Sequence, residues 1–261
     1  DEALRHFARA RGLDPRSAAA AKRFAEALLY VHRYREAAAV ADSALALSPT
    51  NLGNLENRAM VSLAQGDLAG ARAVIGGAPA SIDQSALLAY LANYQDLYWV
   101  LDDSQQQQLL ALPASAFDND RGTWAMVRAQ TYYLRGDRAR ARAYGDSAQA
   151  EFARHIHDAP DDGQQHALRG LALAYAGQKN EAIQEGERGA QLSPVSGDAW
   201  LGAYIQHQLA RIYALAGEPD KAISILESLL KVPYYVSPGW LRIDPEFAML
   251  KGNPRFERLI R

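Results

Sequence analysis

The sequence contains no cysteine, which excludes disulfide bonds, thiolate metal sites and cysteine nucleophiles. It also has no run of 18 apolar residues and no signal-type segment at its start, so we expect no direct membrane insertion. Lysine and arginine form no long basic run and the formal net charge is −2, so nucleic acid is not an expected partner. The absence of cysteine suits a reducing cytoplasm and a periplasm equally, so the localisation stays open.

The composition and periodicity indicate a folded, all-α protein. Apolar residues make up 49% of the chain and charged residues 22%, which is typical of globular proteins rather than disordered ones. Ala, Leu, Arg, Glu and Gln are frequent and recur with helical spacing, and no run alternates as a β-strand would.

The chain repeats itself at a fixed interval of about 34 residues. The interval from Ala3 to Ala37 is 34 residues, and so is the interval from Pro15 to Pro49. A period of this length indicates stacked supersecondary units, none of which buries its apolar face alone. Such stacks present long surfaces that usually bind other molecules.

Each unit reads as helix A, a short turn, helix B and a loop. The turns begin at His32, Gly66, Gly136, Gly177 and Gly217. Glycine predominates there because it adopts the left-handed conformation at a helix C-terminus without steric penalty. Small residues that let the two helices approach closely recur at fixed places, Ala25, Ala59, Ala129, Gly170 and Ala210 in helix A and Ala37, Ala71, Ala141, Ala182 and Ala222 in helix B.

These small residues, turn glycines and closing prolines, such as Pro49 and Pro194, resemble the tetratricopeptide repeat (TPR) family. The usual aromatic residue near the start of helix A is missing. The resemblance implies an all-α, right-handed superhelical solenoid of about six hairpins with a short C-terminal helical cap. We expect the repeat array over residues 1–231, starting in mid-repeat, and the capping segment over 232–261.

Two parts of the array depart from the regular spacing. Ala71 and Ala141 are 70 residues apart, which predicts one irregular repeat at about 83–116. Its helix A is expected to run through Leu101, with a cap at Asp102. A later insertion of several residues predicts a long helix over Gly145–His157.

The C-terminal tail predicts a cap that hides Trp240, Phe247 and Phe256, with helix starts at Asp244-Pro245 and Asn253-Pro254. This tail is similar to the ends of TPR modules in bacterial signalling proteins, where such arrays follow a kinase, a cyclase or a DNA-binding domain. The resemblance implies a fragment of a larger bacterial signalling protein that acts as a non-catalytic protein- or peptide-binding module. The alternative is a structural scaffold that self-associates as a homo-oligomer.

In the TPR family, five positions of helix A line a concave groove, and we expect a partner segment to bind there. The candidate binding residues are Lys22, Glu26, Leu29, Asn57, Met60, Gln130, Tyr133, His207 and Arg211, and further lining positions are Glu56, Met126 and Tyr204. We expect Arg211→Glu to alter binding but to leave stability nearly intact. The carboxylate clamp of chaperone-binding TPR proteins is not expected, because Glu26 stands where that clamp requires an asparagine.

Three tyrosines follow one another at helical spacing in the irregular repeat, Tyr90, Tyr94 and Tyr98. They form either an aromatic binding strip or a packing face. We favour packing, and the binding strip stays open as an alternative.

Catalytic motifs are scarce. One metal-like cluster comprises His155, His157, Asp158, Asp161, Asp162 and His166. On a helix, His155 and His157 point in nearly opposite directions, so we favour a solvated helix end over a metal-dependent enzyme. No phosphate loop or nucleophile elbow occurs, and we expect no catalytic residues, no metal and no cofactor.

Overall fold

In the computed structural model, which describes residues 2–261, every regular element is a helix. The α-helices are α1 (Glu2–Leu13), α2 (Ala18–Tyr30), α3 (Tyr34–Leu47), α4 (Leu52–Ala64), α5 (Leu68–Gly76), α6 (Gln84–Tyr94), α7 (Asp103–Ala111), α8 (Arg121–Leu134), α9 (Arg138–Asp158), α10 (Gly163–Ala176), α11 (Lys179–Leu192), α12 (Ala199–Ala216), α13 (Pro219–Leu229), α14 (Pro238–Ile243) and α15 (Pro254–Leu259). Short 3₁₀ helices lie at Leu97–Trp99, Ala114–Phe117 and Pro245–Leu250. The predicted all-α class is confirmed. Within the described range, no helix is long and apolar enough to cross a membrane.

The chain divides into two compact units. Unit 1 contains the chain up to Tyr90 together with Pro233–Asp244 and Ile260–Arg261, and unit 2 contains Leu91–Val232 and Pro245–Leu259. The division falls inside α6. The boundary expected between an array over 1–231 and a cap over 232–261 stays a prediction.

Each unit is built from helical hairpins that pack side by side. In unit 1, α2 pairs with α3 and α4 with α5, and α2 also contacts α4. In unit 2, the pairs are α8 with α9, α10 with α11, and α12 with α13, and α10 contacts both α8 and α12. Contact between successive first helices is what the repeat pattern predicts.

The turns between paired helices take the conformation that the sequence predicts. Gly66, Gly136, Gly177 and Gly217 have φ between 78° and 87°, and His32 adopts a φ of 62° at the equivalent place. His32 carries the steric cost of this left-handed conformation, and its Nε2 lies 3.1 Å from the carbonyl oxygen of Tyr234.

The predicted small residues lie where helices approach most closely. All ten are buried in the described structure. A Cβ on Gly170 would lie 2.8 Å from the carbonyl oxygen of Ala182 and 2.8 Å from the amide nitrogen of Gly186. Only glycine therefore allows α10 and α11 to pack at this distance.

The irregular repeat differs from expectation in one helix. The predicted helix through Leu101 is wrong, because α6 ends at Tyr94 and Asp96 adopts a left-handed conformation with φ of 54°. A 3₁₀ turn follows, and α7 then begins with the predicted cap at Asp102, which forms a reciprocal capping box with Gln105. The predicted long helix is confirmed, because α9 spans 21 residues.

The C-terminal segment contributes buried aromatic residues to both units. In unit 1, Trp240 is buried and its Nε1 donates to Asp244 Oδ2 at 3.0 Å, while Ser237 caps α14 and donates to the carbonyl oxygen of Ala64. In unit 2, Phe247 and Phe256 are buried, as predicted.

Replacing Gly170 with leucine tests the close packing of α10 and α11. Gly170→Leu should lower the free energy of unfolding by roughly 1–3 kcal/mol, because its side chain overlaps the backbone of α11. Urea denaturation measures this change. Gly76→Leu is the matched control, since a Cβ there meets nothing within 4 Å, and its effect should stay within about 0.5 kcal/mol. Equal midpoints for the two variants would contradict the packing.

Candidate functional site

Most of the predicted groove residues do not lie on an open surface. Six of the nine are at most 4% exposed: Leu29, Asn57, Met60, Gln130, His207 and Arg211. Lys22, Glu26 and Tyr133 are only partly exposed. Six of these side chains therefore have little access to solvent, because helical spacing gives the direction of a side chain but not its exposure. The role of the nine residues in binding stays a prediction.

In unit 2, Arg211 on α12 lies at the centre of a buried polar network. Its Nη1 donates to Asp96 Oδ2 at 3.0 Å and to Gln208 Oε1 at 2.7 Å. Its Nη2 donates to Gln130 Oε1 at 3.2 Å and forms an ion pair with Glu246. We call this set the Arg211 network.

Burial and neighbouring charges determine the protonation of Arg211 and His207. Burial opposes the charged guanidinium, but the carboxylates of Glu246 and Asp96 overcome that effect and hold the pKa of Arg211 well above its usual value. The same burial, with the neighbouring cation, lowers the pKa of His207 to about 3. His207 is therefore neutral, and Arg211 is a permanent cation near physiological pH. The expectation that Arg211→Glu leaves stability intact is wrong, because this substitution would add a third carboxylate beside two buried ones.

A cavity of about 410 Å³ opens beside this network in unit 2. It is lined by Tyr98, Tyr133, Leu134, Arg138, Tyr175, Arg211, Leu215, Pro245, Glu246, Ala248 and Met249. We call it the Tyr133 cavity. Most of its lining was not predicted, because Pro245–Met249 follow the last repeat and no periodic signal places them beside α8.

Aromatic and charged groups shape the wall of the Tyr133 cavity. The rings of Tyr133 and Tyr175 meet edge to face, with centroids 5.2 Å apart. The guanidinium of Arg138 lies 3.3 Å from the centroid of the Tyr133 ring, within cation–π distance. The Tyr98 hydroxyl donates to Glu246 Oε1 at 2.5 Å. The cavity thus combines apolar area with a charged floor.

In unit 1, the predicted residues Lys22, Glu26 and Asn57 lie in a second cluster together with Glu56. Lys22 Nζ lies 3.4 Å from Glu26 Oε1, and Arg23 Nη1 lies 3.0 Å from Glu26 Oε2. Glu56 is 5% exposed, and its burial raises its pKa to about 8 despite the opposing effect of Lys22. We call Lys22, Glu26, Glu56 and Asn57 the Glu56 cluster.

The three tyrosines of the irregular repeat do not form a continuous helical strip. Tyr90 and Tyr94 lie on α6, but Tyr98 follows the break at Asp96 and belongs to a 3₁₀ turn. Tyr94 is 56% exposed, whereas Tyr98 is 2% exposed. The expected i, i+4, i+8 arrangement is therefore wrong, and Tyr98 contributes to the Tyr133 cavity instead.

The histidines near the end of α9 form hydrogen bonds within the protein. His155 Nδ1 lies 3.2 Å from Gln165 Oε1. His166 Nδ1 lies 2.6 Å from Glu185 Oε2, and its Nε2 lies 3.0 Å from the carbonyl oxygen of Pro160. His157 and Asp158 lie in the last turn of α9, and Asp161 faces Arg188. Asp162 caps α10 by accepting from the backbone amides of Gln164 and Gln165, so it has the structural role that we favoured.

Known structures with similar folds are TPR proteins. No protein-family model matches the chain, and no curated protein matches it. It is similar to the Cut9–Hcn1 structure of the APC/C, with 15% identity over 100% of this chain and 46% of that one, and a TM-score of 0.49. The chain thus spans less than half of that protein.

Two further TPR structures align with this chain over most of their own length. TTC0263 from Thermus thermophilus has 18% identity over 83% of this chain and 91% of its own, with a TM-score of 0.38. YrrB, described as a TPR protein with an unusual peptide-binding site, has 14% identity over 94% of this chain and 95% of its own, with a TM-score of 0.32. At these identities the similarity concerns the fold alone.

Removing the cation of the Arg211 network should destabilise the protein. Arg211→Met should lower the free energy of unfolding by about 3–5 kcal/mol, because Asp96 and Glu246 would remain buried without their counter-charge. Arg188→Met is the control, since Arg188 and Asp161 form an exposed pair whose loss should change stability by less than about 1 kcal/mol. Urea denaturation of both variants measures these free energies of unfolding. A similarly small change for each variant would rule out the structural role of Arg211.

The buried carboxyl of Glu56 should make stability depend on pH. Its pKa is about 8 in the folded protein against a reference value of 4.5, so the folded state binds the proton more tightly. The stabilisation is complete below about pH 4.5 and is lost as the pH rises through 8. Between pH 5 and 8, the wild type should lose a few kcal/mol relative to Glu56→Gln, since one pKa unit corresponds to about 1.4 kcal/mol.

Urea denaturation at both pH values measures this difference, with Glu36→Gln as the control. Glu36 is exposed and pairs with Arg33, which lowers its pKa. It therefore stays ionised over this range, and Glu36→Gln should follow the wild type. If Glu56→Gln also follows the wild type, the Glu56 carboxyl is not protonated in the folded protein.

Proposed function

We propose that the chain is a non-catalytic protein- and peptide-binding module of a larger bacterial signalling protein. A segment of the partner inserts side chains into the Tyr133 cavity of unit 2. The observation that carries the proposal is the cavity itself, which is open, amphipathic and lined by three tyrosines.

The size and lining of the cavity favour binding. A volume of about 410 Å³ lies within the range of ligand pockets in proteins and can hold one large side chain. Tyrosine and methionine are enriched at protein interfaces, and tyrosine offers a large contact area at a small entropic cost. Tyr133, Tyr175 and Met249 provide such surfaces.

The Arg211 network keeps this cavity in one conformation. Arg211 and Glu246 belong to its lining and are held by ion pairs and hydrogen bonds from separate elements. A receptor that is rigid before binding loses less conformational freedom when its partner binds. The network therefore increases affinity without having to contact the partner strongly.

The same groups are poorly suited to proton transfer. General acid–base catalysis is most efficient when a group has a pKa near the working pH. Arg211 remains charged, and the pKa of His207 is about 3. This electrostatic arrangement favours a binding module over an enzyme.

Panning a phage-displayed library of random peptides on the purified protein tests the proposal. Peptides selected on the wild type should bind Tyr133→Ala about tenfold or more weakly, because the variant loses one aromatic wall of the cavity. Tyr132→Ala is the matched control, since Tyr132 stacks on Tyr144 and lies outside the cavity lining. Affinity is measured by fluorescence polarisation.

Two outcomes would contradict this function. Peptides that bind the wild type and Tyr133→Ala equally would place binding elsewhere. A lack of selected peptides, together with a sedimentation coefficient that rises with protein concentration, would favour the self-associating scaffold instead.

A further inference from the structure

Glu56 is a buried carboxyl group that forms no ion pair. It lies on α4 and is 5% exposed. Its Oε1 accepts no hydrogen bond from any residue between 2 and 261, and the same holds for the buried Oδ1 of the adjacent Asn57. A buried acceptor without a donor costs about 1–3 kcal/mol, so two such oxygens on adjacent residues require an explanation.

Lys22, the cation that acts on Glu56, pairs with a different carboxylate. Lys22 and Arg23 both approach Glu26, one at each of its oxygens. The charge of Lys22 favours the ionised form of Glu56, but its ammonium group is placed on Glu26. Glu26 is thus doubly paired, while Glu56 is left as an acceptor.

The face of α4 that carries these acceptors also carries Gly53. Glu56 and Asn57 follow Gly53 by three and four residues, so the three positions share one side of the helix. A Cβ on Gly53 would lie 2.5 Å from Lys22 Nζ and 3.0 Å from the hydroxyl of Tyr90. The absence of a side chain at Gly53 therefore leaves the space beside α4 to the flexible end of Lys22 and to the Tyr90 hydroxyl.

We propose that the Glu56 cluster binds one organic cation, the guanidinium or ammonium group of a basic side chain in the partner segment. The cation donates hydrogen bonds to Glu56 Oε1 and Asn57 Oδ1. This inference rests on the proposed function in that the partner supplies the side chain, but it concerns a separate site in unit 1.

The donor and acceptor chemistry selects this ligand class. An anion would meet two carboxylates and an amide oxygen, all of which are acceptors. A calcium or magnesium ion requires about six or more oxygen ligands, which this cluster does not supply. A guanidinium group carries five N–H donors in a plane and can donate to a carboxylate and to an amide oxygen.

Titration of the full chain with capped amino acids tests this site without knowledge of the partner. The probes are N-acetyl-arginine amide and N-acetyl-lysine amide, and N-acetyl-norleucine amide is the neutral control. Binding is followed by the ¹H–¹⁵N shifts of the amides from Gly53 to Asn57. The basic probes should produce saturable shifts, and the neutral probe should not.

Two substitutions with opposite expected effects identify the residues. Glu56→Gln should weaken binding of the basic probes about tenfold, because it removes the charge-assisted hydrogen bond. Lys22→Met should strengthen binding roughly threefold, because it removes a cation that repels the probe. Glu36→Gln is the matched control and should leave affinity unchanged. Lys22→Met is expected to gain affinity for the basic probes. A Glu56→Gln variant that merely failed to fold would not account for that gain.

Several outcomes would overturn the inference. They are equal binding of the norleucine probe, equal binding to Glu56→Gln and the wild type, or no binding of either basic probe. Binding of putrescine alone would assign the Glu56 cluster to a free amine and would overturn the role of a partner side chain. The phage experiment on Tyr133 is independent of these titrations, so either proposal can fail without the other.

Discussion

The close approach of neighbouring helices is the constraint on which both units depend. At Gly170 the backbone of α10 lies so near to α11 that even a methyl group would overlap it, and Gly189 serves the same purpose on α11. A Cβ on Gly186 would instead meet the side chains of Leu209 and Ile212 on α12. Alanine fills the equivalent positions of the other hairpins. These small residues contribute little side-chain volume. The longer side chains on the other faces of the helices therefore fill the rest of the interior. Polar residues on those faces therefore become part of the interior.

The two units treat such buried polar residues differently. In unit 2, the charge of Arg211 is balanced by carboxylates and hydrogen bonds that come from widely separated parts of the chain. In unit 1, Glu56 has no comparable partner at its Oε1. A satisfied network rigidifies a protein, whereas an unsatisfied group raises its free energy until a ligand supplies the missing contact. The satisfied network thus supports a rigid cavity wall in unit 2, and the unsatisfied Glu56 oxygen supports the proposed cation site in unit 1.

Local features could be predicted from the sequence because they depend on residues close together in the chain. The turns at Gly66 and Gly217, the capping box at Asp102 and the long α9 all belong to this class. The break at Asp96 was missed, since its carboxylate is held by Gln208 and Arg211, more than a hundred residues away. The burial of Arg211 was missed for the same reason. Helical spacing predicts the direction of a side chain, but only the long-range packing determines how much water reaches it.

The pairing of Tyr30 and His32 with Tyr234 has a consequence for how unit 1 forms. The backbone amide of Tyr234 donates to the carbonyl oxygen of Tyr30 at 3.1 Å, and Ser237 bonds to Ala64 across 173 residues. Most repeat proteins contact only their neighbours along the chain and can begin folding at either end. Here His32 and Tyr234, which are in contact, are 202 residues apart, and closing so large a loop costs entropy before any contact is gained. Unit 1 therefore gains its full set of contacts only when these two distant segments have come together.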